Sequence, residues 1–389
     1  MSFFEQIPEL PPDPIFGLSA AFKADPRPNK HSFIVGYFCD ENLQTPLLDC
    51  VGEIERRLAE EKHKREYLPI DGDPEYVEAI ANLVFGKTEE RICGAQTIGG
   101  TGALFLAGRL AGLWTDQIAI SNITWANHWK IFTLAGLQTP KYPYYEKKEL
   151  QFEKMVEHFS TLPENSCVLL HATCHNPTGF DLTKDQWKRL QEVTEKHHLF
   201  PIFDLAYQGF ASNPEEDAYG PRLFLEKGGE FALTYSCAKN FSLYGERAGA
   251  LFVVGESPQK IKALRTQLKA FIRASYSNPP VHAASIVKGI LQDGALQGKW
   301  LSELAAMRER VQKVRNEFVD LMVKKDPEGN WEPIRKGNGL FCYSELSKTA
   351  VETLREKHGF YIAGDGRINV TGISQENIEA FTDAIVSSK

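Results

Sequence analysis

Between Ser236 and Gly249 the chain reads SCAKNFSLYGERAG, which sets Lys239 and Arg247 eight residues apart behind FALTYSC, a run with the apolar character of a strand. A lysine that loses part of its hydration on burial loses proton affinity and becomes a nucleophile able to form an imine with a carbonyl. An arginine close by suits a phosphate. A carbonyl compound that also bears a phosphate would use both groups at once. Taken alone, the segment is more simply read as two solvated cations flanking a turn.

Pro201 to Phe210, PIFDLAYQGF, is an apolar run interrupted by Asp204 and Tyr207. An acid inside such a run is costly unless a cation meets it. A protonated pyridine nitrogen would be that cation. Aldehyde, phosphate and pyridine together describe pyridoxal 5′-phosphate (PLP), in whose sites an aspartate recurrently holds the ring as an electron sink. Tyr207 lies three residues on, near enough for its hydroxyl to reach the phenolic oxygen of the same ring. The plainer reading is a core tyrosine and an aspartate closing a turn.

Gln96 to Trp114, QTIGGTGALFLAGRLAGLW, places Gly99, Gly100, Thr101 and Gly102 before an apolar helical run. Backbone N–H groups at such a helix start bind phosphate, and Thr101 adds a hydroxyl. The segment is neither a P-loop nor a GxGxxG fingerprint, and an ordinary tight turn would use the same residues. Val168 to Trp187, VLLHATCHNPTGFDLTKDQW, reads as a buried strand ending at Asn176, which Pro177 holds extended so that its amide leaves the strand end. Thr183 and Gln186 form a capping box for a helix with Trp187, Leu190 and Val193 on one face. His171, Cys174 and His175 invite a zinc reading, but no helix puts them on one face, and no metal is expected.

The segments GGTGAL, TWANH, HNPTG, FDLAYQGF, SxxKNF…ER, YSNPP and GRINVTG occur in the order found in fold-type I PLP-dependent aminotransferases, from about Asp13 to the C-terminus. The chain resembles the subgroup of bacterial aspartate and aromatic amino acid aminotransferases. The resemblance implies an α/β fold: a large domain with a mostly parallel seven-stranded sheet flanked by helices, and a smaller α/β domain from the two chain ends. It also implies a homodimer with shared active sites, exchanging the amino group of aspartate with 2-oxoglutarate by a ping-pong route. An aromatic (tyrosine or phenylalanine) or dual-specificity aminotransferase is the near alternative. Another PLP enzyme or a PLP-binding regulator is the distant one, and no segment is spare for a DNA-binding region.

By the same resemblance Lys239 is the lysine that holds the cofactor and then shuttles the proton between substrate Cα and cofactor C4′. Asp204 is the pyridinium partner, Tyr207 and Asn176 bond the phenolic oxygen, and Trp125 stacks on the ring. Gly100, Thr101, Ser236 and Arg247 match the phosphate cup, with Tyr67 reaching it from a second subunit. His128, His171 and His175 match positions around the ring and its aspartate. Arg367 matches the α-carboxylate arginine, helped by Asn176 and the Gly36 backbone. Arg273 matches the arginine that crosses the dimer interface to a side-chain carboxylate, bordered by Ser277 and Asn278. Ile15 and Phe16 match an N-terminal flap. Two residues depart from the pattern: Ala238 stands where a second serine is common, and Asp365 lies beside Arg367, where it would compete with substrate if it faced the guanidinium.

Elements able to position these groups are visible in the pattern. QIAISN, CVLLHA, FPIFDLAY and GALFVV alternate with helical stretches, as in an α/β domain with a largely parallel sheet, whose strand ends gather catalytic groups. SELAAMRERVQKVRNEFVDLMVKK, with Met307, Val311, Val314, Phe318 and Leu321 on one face, predicts a long helix leading into a second domain. The expected division is an N-terminal arm with part of the small domain (1–37), a PLP-binding domain (38–305) and a small C-terminal domain (306–389). PELPPDP suits an extended arm. The 389 residues can bury a large core, and the net charge of −7 offers no basic footprint for nucleic acid. Seven cysteines with no CxxC pair suggest reduced thiols in the cytoplasm; no signal peptide or membrane-spanning run is apparent.

Overall fold

Five of the apolar runs picked out in the sequence are neighbours in one sheet of the computed structural model, which describes residues 3–11, 13–61 and 66–389. Met1, Ser2 and Pro12, part of the expected arm and its proline-rich stretch, lie outside the described residues. From one edge the seven strands are Ile92–Ile98, Ala248–Val254, Phe231–Ser236, Phe200–Leu205, Cys167–His171, Ile118–Ser121 and Lys141–Tyr142. Only Ala248–Val254 runs against its neighbours. Every residue of Phe231–Ser236 and Ala248–Val254 is buried, as expected for strands covered by helices on both faces.

The parallel register aligns the chemistry. His171 stands opposite Asp204, and Asp204 opposite Thr234, at the carboxyl ends of three adjacent strands. Open α/β sheets bind ligands at this edge, where strands stop and loops begin. The helix after Ile92–Ile98 starts at Gly99 and runs to Ala111, with Ala103, Leu106, Ala107 and Leu110 buried. Its first turn therefore opens onto the same edge.

Thr183 and Gln186 do form the capping box, and Lys184–Lys196 buries Trp187 and Leu190. The long helix spans Gly294–Lys325, starting earlier than the sequence pattern indicates because the Asp293 carboxylate accepts from Ala295 N and Leu296 N. Met307, Val311, Val314 and Phe318 are buried along it, while Leu321 is half-buried. Beyond it, Phe341–Tyr343 pairs antiparallel with Arg367–Asn369, and His31–Ser32 near the N-terminus pairs parallel with Phe360–Tyr361. The chain ends thus meet in space. Residues before them are bare: Phe16–Ala24 is a helix with no buried residue, and Phe3, Ile7 and Leu10 are 97%, 64% and 78% exposed.

Candidate active site

The buried carboxylate of Asp204 sits at the floor of the cleft. His128 Nε2–H donates to its Oδ2 at 3.1 Å, and the Thr234 hydroxyl donates to Oδ1 at 3.2 Å. With Nε2 donating, His128 Nδ1 accepts from the Thr124 hydroxyl at 2.8 Å. Burial pushes the Asp204 pKa up, but the hydrogen bond from His128 and the electrostatic pull of the His128, His171 and Lys239 side chains outweigh it, so the carboxyl stays below its ordinary value. A carboxylate held charged in an apolar floor can keep a proton on a base above it. Burial brings the His171 pKa down to about 3, and its Nε2 has no partner among the described residues. His175 stacks on Tyr144 with centroids 4.1 Å apart, and its Nδ1 meets the Thr178 hydroxyl at 2.8 Å. The set of three potential metal ligands found among the described residues is His128, His171 and Asp204, within 4.8 Å of one another, rather than the His171, Cys174 and His175 weighed in the sequence. In that set the His128–Asp204 hydrogen bond occupies the facing atoms. The Trp125 ring meets His128 edge-on at 5.2 Å, so an indole borders the space above Asp204.

Lys239 follows the Phe231–Ser236 strand, and its Nζ lies 5.1 Å from the centre of the Tyr207 ring. The side chain keeps some solvent access, yet burial, with help from Arg247 and Arg367 and against the pull of Asp204, lowers its pKa to about 8. At neutral pH a usable fraction of this amine is unprotonated, which is what a nucleophile and proton carrier needs. The buried Tyr207 hydroxyl accepts from Asn176 Nδ2 at 3.4 Å. Asn176 Oδ1 in turn accepts from Arg367 Nη1 at 3.4 Å, while Arg367 Nη2 donates to the Ile34 carbonyl at 3.1 Å. The Asn176–Pro177 peptide bond is cis.

Arg367 is 6% exposed, lies over the Phe341 ring at 4.3 Å, and leaves Nε without a partner among the described residues. Burial lowers its pKa against the pull of Asp365 and Tyr207. A buried guanidinium with an unspent donor and no facing acid is built to receive a carboxylate. Asp365 does not block it: the residue is exposed, and its carboxylate accepts from the Arg367 backbone N–H at 3.1 Å. Gly36 allows this packing, because a Cβ there would lie 2.7 Å from Phe341 Cζ.

At the other end of the cleft, Gly99 has φ +71°, and a Cβ on it would lie 2.5 Å from Arg247 Nη2. The guanidinium therefore rests on the helix start, steadied by a 3.0 Å bond from Nη1 to the Tyr244 carbonyl. A Cβ on Gly100 would touch Ser236 Cβ at 3.0 Å, which puts the serine hydroxyl beside the first helical N–H groups. Ser236 Oγ accepts from Ala238 N at 3.3 Å and still has its own proton to give, so a cup survives without a second serine. Helix dipole, orphan N–H groups, Thr101, Ser236 and Arg247 together fit a phosphate. The amine, buried acid and phosphate cup fit PLP.

Other expected site residues do not join this cleft within the chain. Tyr67 is 94% exposed, and Arg273 stands on the surface, its guanidinium bonded to the Ser277 hydroxyl. The two share a surface, because Asn278 Nδ2 donates to the Leu68 carbonyl at 3.2 Å. Phe16 is 74% exposed and Ile15 partly so; their backbone N–H groups donate to the Asp13 carboxylate at 3.1 and 3.0 Å, and Asp13 pairs with Lys130. Sequence reading missed Thr234, Thr124 and Phe341. Thr234 lies two residues before Ser236 and so on the same strand face, a signal that alternation carries; nothing local marks Phe341.

Comparison with known proteins gives the family and the fold. Residues 29–385 match the family model described as aminotransferase class I and II. The chain is 41% identical over 393 residues to the aspartate aminotransferase of Salmonella typhi and 40% identical over 393 residues to that of Escherichia coli K12, covering 99% of each chain in both cases. Among solved structures it is similar to an aromatic amino acid aminotransferase from Burkholderia pseudomallei covalently bound to pyridoxal phosphate. That similarity has a TM-score of 0.96 at 37% identity, covering all of both chains.

Proposed function

We propose, for a chain that belongs to the class I and II aminotransferase family, that the cleft carries out amino-group transfer between L-aspartate and 2-oxoglutarate, with a distinct task for each residue that lines it. The enzyme is a PLP-dependent aminotransferase, and aspartate is its substrate, yielding oxaloacetate and L-glutamate. The observation that carries the reading is the meeting, in one cleft, of an amine with its pKa lowered to about 8, a buried carboxylate, and a guanidinium whose Nε is unspent. Bound there, PLP supplies the carbonyl that takes up the amino group and a ring that accepts the electron pair left when Cα loses its proton.

Lys239 would hold the cofactor and, as a free amine, would carry the proton between substrate Cα and cofactor C4′. Asp204, kept charged by His128 and Thr234, holds the proton on the ring nitrogen. Tyr207 and Asn176 bond the phenolic oxygen, and Trp125 covers the ring face. Gly100, Thr101, Ser236 and Arg247 bind the phosphate. Arg367 receives the α-carboxylate, with Gly36 and Asn176 beside it.

Tyr67 and Arg273, both displayed on one face, serve the neighbouring subunit of a homodimer: Tyr67 its phosphate, Arg273 the distal carboxylate of its substrate. The expected boundaries at 37/38 and 305/306 place the cleft between two domains, and the seven buried free cysteines suit a reducing cytoplasm. Aromatic amino acids are a second substrate class, favoured by the likeness to the aromatic enzyme. Steady-state rates with aspartate and with phenylalanine, each with 2-oxoglutarate, test the reading. A higher kcat/KM for aspartate is expected, and a clear preference for phenylalanine would replace it with the aromatic one.

A further inference from the structure

Arg367 can receive a carboxylate only if the C-terminal piece carrying it is held at a fixed distance from the loop carrying Asn176. Besides the bond between Asn176 and Arg367 themselves, those two pieces meet at a second joint. The loop after Cys167–His171 is wound around Asp181: Oδ1 accepts from His175 N at 3.0 Å, and Oδ2 lies 3.4 Å from the Thr173 hydroxyl. Across the joint, Asn338 Nδ2 donates to the same Oδ2 at 2.9 Å, and Asn338 N donates to the Gly179 carbonyl at 2.8 Å. The backbones touch: Gly339, at φ +77°, would put a Cβ 2.6 Å from Cys174 Cβ, and a Cβ on Gly179 would lie 3.0 Å from the Asn338 carbonyl oxygen.

Arg315 of the long helix lies beneath, 0% exposed. Its Nη2 donates to the carbonyls of Gly339 at 2.6 Å and Phe341 at 3.0 Å. Phe341 is the ring under Arg367 and the strand partner of Asn369. Asn338 is thus three residues from the platform of one carboxylate-binding group, and Asp181 five residues from the other.

We infer that Asp181 and Asn338 are a positioning pair that sets the spacing of Arg367 and Asn176, and with it the affinity of the site for substrate carboxylate. The pair touches neither substrate nor cofactor. The inference rests on the reading that Arg367 receives the α-carboxylate. A fold device and a positioning device differ in what they move: the first lowers the melting temperature and active fraction, while the second changes KM for the amino acid and leaves kcat nearly intact.

The test uses the PLP-loaded enzyme and succinate as a non-reacting dicarboxylate. In Asn338→Ala the expected result is a Kd for succinate and a KM for aspartate each raised by about tenfold, the usual scale for losing a hydrogen bond to a charged group. The expected change in kcat is under about twofold. Asp181→Asn sets an amide N–H₂ against the Asn338 amide and should weaken binding similarly. Combining Asp181→Asn with Asn338→Asp restores donor and acceptor across the joint and should recover most of the affinity. Arg367→Lys separates the layers. If it weakens succinate while Asn338→Ala does not, the positioning role is overturned and the Arg367 reading stands. If Arg367→Lys leaves succinate binding unchanged, both fall. Equal loss in all joint variants without recovery in the double variant, accompanied by lowered melting temperatures, overturns the positioning role in favour of a purely structural one.

Discussion

Lys239 and Asp204 do their work through environment rather than identity. An amine with its pKa near 8 is half unprotonated at that pH, whereas one at the ordinary 10.5 would be about 0.3% unprotonated. The neutral form is the nucleophile, so capture of PLP by the apoprotein should rise with pH and level off above about 8. A midpoint near 10 in the rate of cofactor absorbance change would contradict that environment. Borohydride reduction followed by mass spectrometry should find the pyridoxyl group on Lys239, and Lys239→Ala should keep cofactor affinity through Arg247 and the helix start while losing turnover. Asp204→Asn removes one partner of a buried charge pair, an effect of about 2 to 5 kcal/mol, or about 30-fold or more in rate. A rate loss under about threefold in single-turnover measurements with aspartate would mean that another group meets the ring nitrogen.

The element that matters most is the helix Gly99–Ala111, because its start is both a turn and half of a phosphate cup. Gly99 takes φ +71°, a conformation that costs an L-residue about 1 to 3 kcal/mol, and leaves no room for a methyl group beside Arg247. Gly99→Ala should therefore push the guanidinium away and raise the dissociation constant for PLP by about tenfold or more. The readout is cofactor release on dilution, and unchanged affinity would show that Arg247 can shift at no cost. This helix start was legible as a phosphate-binding candidate, since glycines before an apolar helical run leave backbone N–H groups open to an anion, though an ordinary tight turn would use the same residues. The capping box at Thr183 and Gln186 was legible for a similar reason: both partners are local. The origin of the long helix at Gly294 was not, because Asp293 gives only a short-range signal that the face beginning at Met307 obscures.

At the scale of the molecule, exposed Tyr67 and Arg273 and the bare apolar residues of the N-terminal arm suit a site completed by a second copy. Arg273→Leu should lower the ratio of kcat/KM for aspartate to that for phenylalanine by about 2 to 5 kcal/mol, since a charged side chain loses its partner while an uncharged one does not. An unchanged ratio would remove Arg273 from the substrate site. Action across the interface has its own signature. Mixing subunits carrying Lys239→Ala with subunits carrying Arg273→Leu should restore about a quarter of wild-type aspartate activity, because half of the dimers are mixed and each mixed dimer has one intact site. Recovery no greater than the sum of the two parents would place Arg273 within its own chain's site.

Sequence alone marked five strands of the large sheet and made Lys239 and Asp204 candidates, while the ordered motifs pointed to the cofactor class, because a charged residue in an apolar run is costly unless a partner meets it. It could not decide whether Asp365 obstructs Arg367. That depended on a turn which spends the carboxylate on a backbone N–H, a geometry set by pairing of Phe341–Tyr343 with Arg367–Asn369. Phe341 and the Asp181–Asn338 joint became visible only in three dimensions. Each acts across a contact between segments distant in the chain, and such contacts are fixed by how the elements pack, which leaves no spacing in the sequence to read.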